Sequence, residues 1–193
     1  MKRFDLAALR EGDILCGRNL VSKEGAMIRG ILGSVTNHNA LIINHPEHGW
    51  GIGDMSPPCG RFVPFSHYEK LIADGNYIVR ILRIRDTEAR ERGLMSTMWV
   101  RLIQGLPYDS FRVKRLWVMR FVNSLPWHIK GTWCTRAVGL VCAQVFSPAR
   151  NPFRKLYVPG MPVKVNETPR TVENRLMSGL LRDVTDRVLV GIR

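Results

Sequence analysis

TNHNALIINHPEHGWGIGDMSPP, Thr36 to Pro58, is the stretch whose reading decides the fold. Asn39–Asn44 (NALIIN) is an apolar, β-branched run of strand length, and Trp50–Met55 is a second short run. The turn-rich HPEHG between them lets the two pair antiparallel as a hairpin. Working outward, GDILCG predicts a strand over Asp13–Cys16, and Lys23–Leu32 predicts a helix capped by Ser22 and ended by Gly33. SPPCG reads as a loop, Arg61–Val63 as a short strand, and Ser66–Ala73 as a helix with Ser66 as cap. NYIVRILRIR, Asn76–Arg85, is a strong strand.

The second half turns helical. Thr87–Gln104 has a Thr cap with Glu88 and Glu91 near its start, where acidic groups suit the helix dipole. Arg112–Val122 reads as helix, Cys134–Phe146 as a helix with an apolar stripe at Val138, Val141, Cys142 and Val145, and Thr171–Leu189 as an amphipathic helix opened by Pro169. Strands first and helices after predict an α+β fold, with an antiparallel sheet or small barrel packed against helices. A length of 193 residues suits one domain spanning 1–193.

Hydrophobic residues make up 45% of the chain and charged residues 23%, which places it among globular proteins. No apolar run is long enough to span a bilayer. The start, MKRFDLAALREGDIL, is not read as a secretory signal, because Leu6–Leu9 is broken at once by Arg10 and Glu11. The expected place of work is the cytoplasm or a phage particle that carries the protein. The net charge of +13, from 29 Lys+Arg against 16 Asp+Glu, favours an anionic partner such as an acidic cell-wall or lipopolysaccharide polymer. The cations form no block, and no zinc-finger or RNP pattern accompanies them, so nucleic acid rests on charge alone.

Four cysteines without a CxxC or a secretory leader argue against a disulfide framework. Cys134 follows a loop and opens a helix, where dipole and N–H groups stabilise a thiolate, with Arg136 close in sequence. It is either a nucleophile facing a cleft or an inert buried thiol. Cys142 repeats with Val138 and Val145 and reads as core, Cys16 as structural, and Cys59 as a loop residue. His38 leads into the first hairpin strand, and Asp54 lies near the end of the second, so a carboxylate can approach the imidazole to orient it. A structural role for His38 stays open, with His128 as a rival base. The His45-x-x-His48 pair sits in a turn rather than on a helix face, and no metal site or cofactor is expected from it.

These segments, in this order, resemble the circularly permuted branch of the NlpC-type papain-like hydrolases, which includes YiiX-like proteins and the lecithin retinol acyltransferase group. The motifs that carry the resemblance are GDIL at Gly12–Leu15, TNHNALII at Thr36–Ile43, GIGDMSPP at Gly51–Pro58, RFVPF at Arg61–Phe65, LPYD at Leu106–Asp109, WCTRAV at Trp133–Val138, and the late TPRTVENRL. The histidine precedes the cysteine, the order of the permuted branch. The resemblance implies a cysteine peptidase or amidase acting on bacterial cell-wall peptides. Cys134 would be the nucleophile, His38 base and then acid, and Asp54 the orienting group, with backbone N–H groups near the start of the Cys134 helix meeting the oxyanion. Two residues depart from the pattern: many members carry Glu at the place of Asp54, and Glu at the place of Arg136. The alternative is a non-catalytic module of the same fold, for example a phage tail-tip component in contact with other virion proteins.

Overall fold

The computed structural model describes residues 2–108, 134–147, 172, 176 and 179–191. Within them the chain runs β1 (Lys2–Phe4), β2 (Ile14–Asn19), α1 (Lys23–Leu32), β3 (His38–His45), β4 (Gly49–Ser56), β5 (Cys59–Val63), α2 (Phe65–Ala73), β6 (Tyr77–Ile84), α3 (Ala89–Leu102), α4 (Cys134–Val145), β7 (Leu181–Asp183), α5 (Thr185–Val188) and β8 (Leu189–Gly191). The main sheet has six strands in the order β5-β4-β3-β2-β6-β7, every pair antiparallel, and β1 pairs with β8 in a separate ribbon. The fold is α+β, as the run of strands before helices predicts. The sheet is open among the described residues, so the barrel alternative does not hold.

Alternation along the strands explains why NALIIN is apolar without interruption. Ile14, Cys16, Leu41, Ile43 and Met55 face α3 and α4, where they meet Met95, Trp99, Ile103, Val138 and Val141. Leu15, Ala40, Ile42, Ile52 and Ile81 face the other way, against Tyr68 of α2, Phe4 of β1, and Val188 and Leu189 near the C-terminus. A strand covered on both faces needs apolar residues at successive positions. Each fully buried Ile or Leu contributes roughly 1.5–3 kcal/mol. Trp99 reaches the sheet because Gly53 leaves it room: a Cβ at Gly53 would lie 2.5 Å from the indole.

Several elements differ from their sequence reading. The helix expected over Thr171–Leu189 is divided at its end: Leu181–Asp183 extends the main sheet beside β6, and Leu189–Gly191 pairs with Lys2–Phe4. Its apolar residues are buried, but Leu181 and Leu189 lie on strands, Val188 on one short helix, and Val184 in the link between β7 and α5. α2 begins at Phe65 after Pro64, so Ser66 lies inside the helix and does not cap it. α3 is capped by Glu88 in a reciprocal box with Glu91, while the Thr87 hydroxyl donates to the Ile84 carbonyl. Cys59 opens β5 instead of sitting in a loop. The helix read over Arg112–Val122 lies outside the described residues.

Candidate active site

The hairpin fixes the first pair. In the β3–β4 register Leu41 faces Gly53, and one step further Ala40 falls opposite Asp54. His38 shares a strand face with Ala40, so Asp54 is its diagonal neighbour on that face. The side chains close the remaining gap, with His38 Nε2 2.6 Å from Asp54 Oδ1 and side-chain exposures of 14% and 6%. Asp54 Oδ2 accepts from Ser56 Oγ at 2.7 Å, and Arg61 in turn donates to Ser56. Burial alone would raise the Asp54 pKa. The charge of His38, the hydrogen bonds from His38 and Ser56, and the charge of Arg61 outweigh it and hold the carboxyl below its usual range.

Cys134 comes from the far half of the chain, as the first residue of α4. Its thiol lies 3.9 Å from Thr135 Oγ1 and interacts electrostatically with the His38 ring and the backbone N–H of Asn39. With Nε2 turned to Asp54, Nδ1 is the ring nitrogen left for sulfur. Burial would push the thiol's pKa up, but its interactions with His38, then with Asn39 N–H and Thr135, bring it below the usual thiol value. For His38, burial disfavours the imidazolium, yet its interactions with Tyr77, Asp54 and Cys134 raise its pKa well above the usual value. Burial first, with Asp54 and Cys134, pushes Tyr77 itself up to about 12, against the opposing charge of His38. Tyr77 is therefore a neutral phenol near pH 7, and Asp54 is the carboxylate that holds the proton on His38.

The three residues singled out in the sequence thus come together: Asp54 is hydrogen-bonded to His38, and His38 and Cys134 shift one another's pKa. Cys134 does not face an open cleft: it is 6% exposed and belongs to the core cluster with Cys142. The other expected roles differ in outcome. Cys16 and Cys142 are buried, and none of the four cysteines is in a disulfide. His128, Trp133 and the Arg136 side chain lie outside the described residues.

Asn39 and Thr135 escaped the sequence reading. Asn39 is fully buried and donates from Nδ2 to Thr135 Oγ1 at 2.8 Å, which ties the start of β3 to the start of α4. Its signal was an amide placed directly after His38 and before four apolar residues. Tyr77 also went unnoticed; it lies over Gly17, where a Cβ would come within 2.1 Å of its hydroxyl.

His45, Glu47 and His48 bring ligand-type atoms within 4.8 Å of one another at the β3–β4 turn. Both ring nitrogens of His45 are already engaged: Nδ1 accepts from Glu47 N at 3.1 Å, and Nε2 meets Gln104 Oε1 at 3.0 Å. The His45 and His48 rings stack at 4.6 Å and 20°.

No protein-family model matches the sequence. No curated protein matches it significantly. Among solved structures, the chain is similar to the metalloprotein yiiX from Escherichia coli O157:H7, a DUF1105 protein, with a TM-score of 0.61 and 16% identity over 91% of this chain and 96% of that one. At that identity the likeness concerns the fold, and the fold of this chain is YiiX-like α+β.

Proposed function

We propose that this protein is a cysteine hydrolase with a permuted papain-like (NlpC-type) arrangement, a peptidase or amidase acting on amide bonds of bacterial cell-wall peptides. The observation that carries the reading is the His38–Asp54 hydrogen bond with Cys134 beside it, the thiol's pKa lowered and the imidazole's raised. In this mechanism Cys134 Sγ attacks the carbonyl carbon as the thiolate. The N–H groups of the first turn of α4, which have no intrahelical partner, face the developing oxyanion. His38 then gives its proton to the leaving amine, a thioester forms, and water activated by His38 releases the acid. Asp54 stays ionised and holds the ring through Nε2. Asn39 steadies the sulfur through its N–H and the helix start through Thr135.

A second substrate class, lipid amides or esters, is favoured by a different observation. Leu20, Val21 and Met27 are exposed at 41%, 67% and 41% around α1, which immediately precedes the approach to His38. The net charge of +13 supports capture of acidic cell-wall or lipopolysaccharide polymer in either case.

The name of the yiiX neighbour raises the question of a metal. The His45–Glu47–His48 group does not fit one as arranged, because His45 has no lone pair to spare. No step of the mechanism passes through a metal.

The experiment is mass-spectrometric mapping of alkylation by an iodoacetamide probe, alongside turnover of cell-wall peptides. Fast labelling confined to Cys134, although Cys59 is more exposed, supports the hydrolase. Slow, unselective labelling without turnover supports instead a non-catalytic module, such as a tail-tip component.

A further inference from the structure

Away from the thiol, the chain concentrates arginines around a polar cleft of about 190 Å3. Arg10, Arg83, Arg92 and Arg182 line it, drawn from four separate places in the sequence. It lies at the Asp13 end of β2, whereas His38 pairs with Gly17 at the other end, about 14 Å along the strand.

The arginines are unequally committed. Arg83 is buried and spends Nε and Nη2 on Asp13 and the Ala8 carbonyl, at 2.6–2.8 Å, which leaves Nη1. Arg92 spends Nη1 on the Thr87 carbonyl. Among the described residues, the exposed guanidiniums of Arg10 and Arg182 have no hydrogen-bond or ion-pair partner. The acids at the cleft are Asp13, paired with Arg83, Glu11, which accepts from Ser96 Oγ, and the exposed Asp86, which has a contact of its own, so four guanidiniums face three carboxylates.

A second observation points the same way. Arg83 and Arg182 stand directly opposite in the β6–β7 register, a like-charge pairing in which Asp13 compensates Arg83 alone. The pKa of Arg10 is lowered, first by the charge of Arg83, then by slight burial, Arg92 and Arg182, with Asp13 acting against them. Three guanidiniums surround Arg10, and with four guanidiniums against three carboxylates the cleft keeps an excess positive charge that one anion would balance.

We infer that this cleft is a binding site for a phosphate-type tetrahedral anion, separate from the Cys134 centre. Guanidinium forks match the geometry of phosphate and carboxylate oxygens. A carboxylate offers two oxygens in one plane, whereas phosphate presents oxygens in several directions, which suits forks converging from β6, β7, α3 and the loop before β2. The cleft is smaller than the roughly 300–1,000 Å3 typical of organic-ligand pockets, so it takes one such group. That group is either free phosphate or the phosphate of a lipid headgroup.

The test uses the full chain carrying R10Q and R182Q, both exposed positions, beside the wild type. Melting temperature is followed with and without millimolar inorganic phosphate against chloride of equal ionic strength. Without phosphate, the double variant should melt at the same temperature or higher, because charge crowding is relieved. With phosphate, the wild type should gain stability and overtake it, and phosphate affinity by calorimetry should fall at least about tenfold in the variant. Vesicles of phosphatidic acid in phosphatidylcholine that compete with inorganic phosphate in an arginine-dependent way identify a headgroup; arginine-dependent binding of inorganic phosphate without vesicle binding identifies the free anion. No phosphate effect beyond chloride, or an equal effect in wild type and variant, overturns the inference. Cys134→Ala protein should give the same phosphate result, so failure of the hydrolase reading leaves this test intact.

Discussion

Asp54→Asn is the most informative single change. Asparagine keeps the size of the carboxylate and an oxygen that can accept from His38 Nε2, but removes the charge. The bond it alters is 2.6 Å long, and its partners are only 14% and 6% exposed, so the small value of a surface ion pair does not apply. A hydrogen bond to a charged group in such a place contributes roughly 1.5–3 kcal/mol. Lost from the thiolate–imidazolium state alone, that is about 10- to 150-fold in rate. Alkylation of Cys134 and turnover should fall together by that factor near neutral pH. The pH profile should move as well. In the wild type Asp54 has a lowered pKa, so its contribution to stability is present above its unfolded value and lost as pH falls through the lowered folded one. His38 has a raised pKa, so its contribution is present below its unfolded value and lost as pH rises through the raised folded one. The pair therefore stabilises the fold most between these two titrations, and the Asn variant should lose both slopes from its plot of melting temperature against pH. Alkylation within about threefold of wild type with an unchanged pH profile would refute the assignment of Asp54 as the orienting group.

Cys142→Ala should keep activity and cost on the order of 1 kcal/mol, read by denaturant melting, since it is fully buried between Val138 and Val145 positions. Cys134→Ala should abolish turnover with a similar stability cost, because that side chain is also packed in the core; retained turnover would show that another group is the nucleophile. Asp13→Ala should destabilise by about 3–5 kcal/mol, since it leaves the buried Arg83 without its carboxylate among three other arginines; a loss under about 1 kcal/mol would show that the pair is not needed. Binding to acidic cell-wall polymer should weaken steeply between about 0.1 M and 1 M salt, as the Debye length falls from ~10 to ~3 Å, while turnover of a small neutral substrate should change little. Equal salt sensitivity of both would show that charge acts on the chemistry as well as on capture.

How much of this was legible in the sequence depends on chain separation. The hairpin was readable because Asn39–Asn44, the HPEHG turn and Trp50–Met55 are contiguous, and strand register alone then brings Asp54 diagonally beside His38. The placement of Cys134 at a helix start was also local, set by where the apolar stripe of α4 begins. The meeting of Cys134 with His38 is not local: the neighbouring Asn39–Thr135 bond spans 96 positions, and the resemblance to a family, not spacing, anticipated it. The C-terminal pattern was misread for a related reason. Leu181, Val184, Val188 and Leu189 satisfy a helical period, but β6 and β1 offer unpaired strand edges nearby, and backbone pairing with them prevailed over local propensity. β1 itself is three residues long with two exposed, and it has no pattern of its own without β8. Composition gave the excess of positive charge, but not the convergence of Arg10, Arg83, Arg92 and Arg182 on one cleft. Charges on surface and strand obey no sequence period, and only the packing of distant segments decides which of them share a wall.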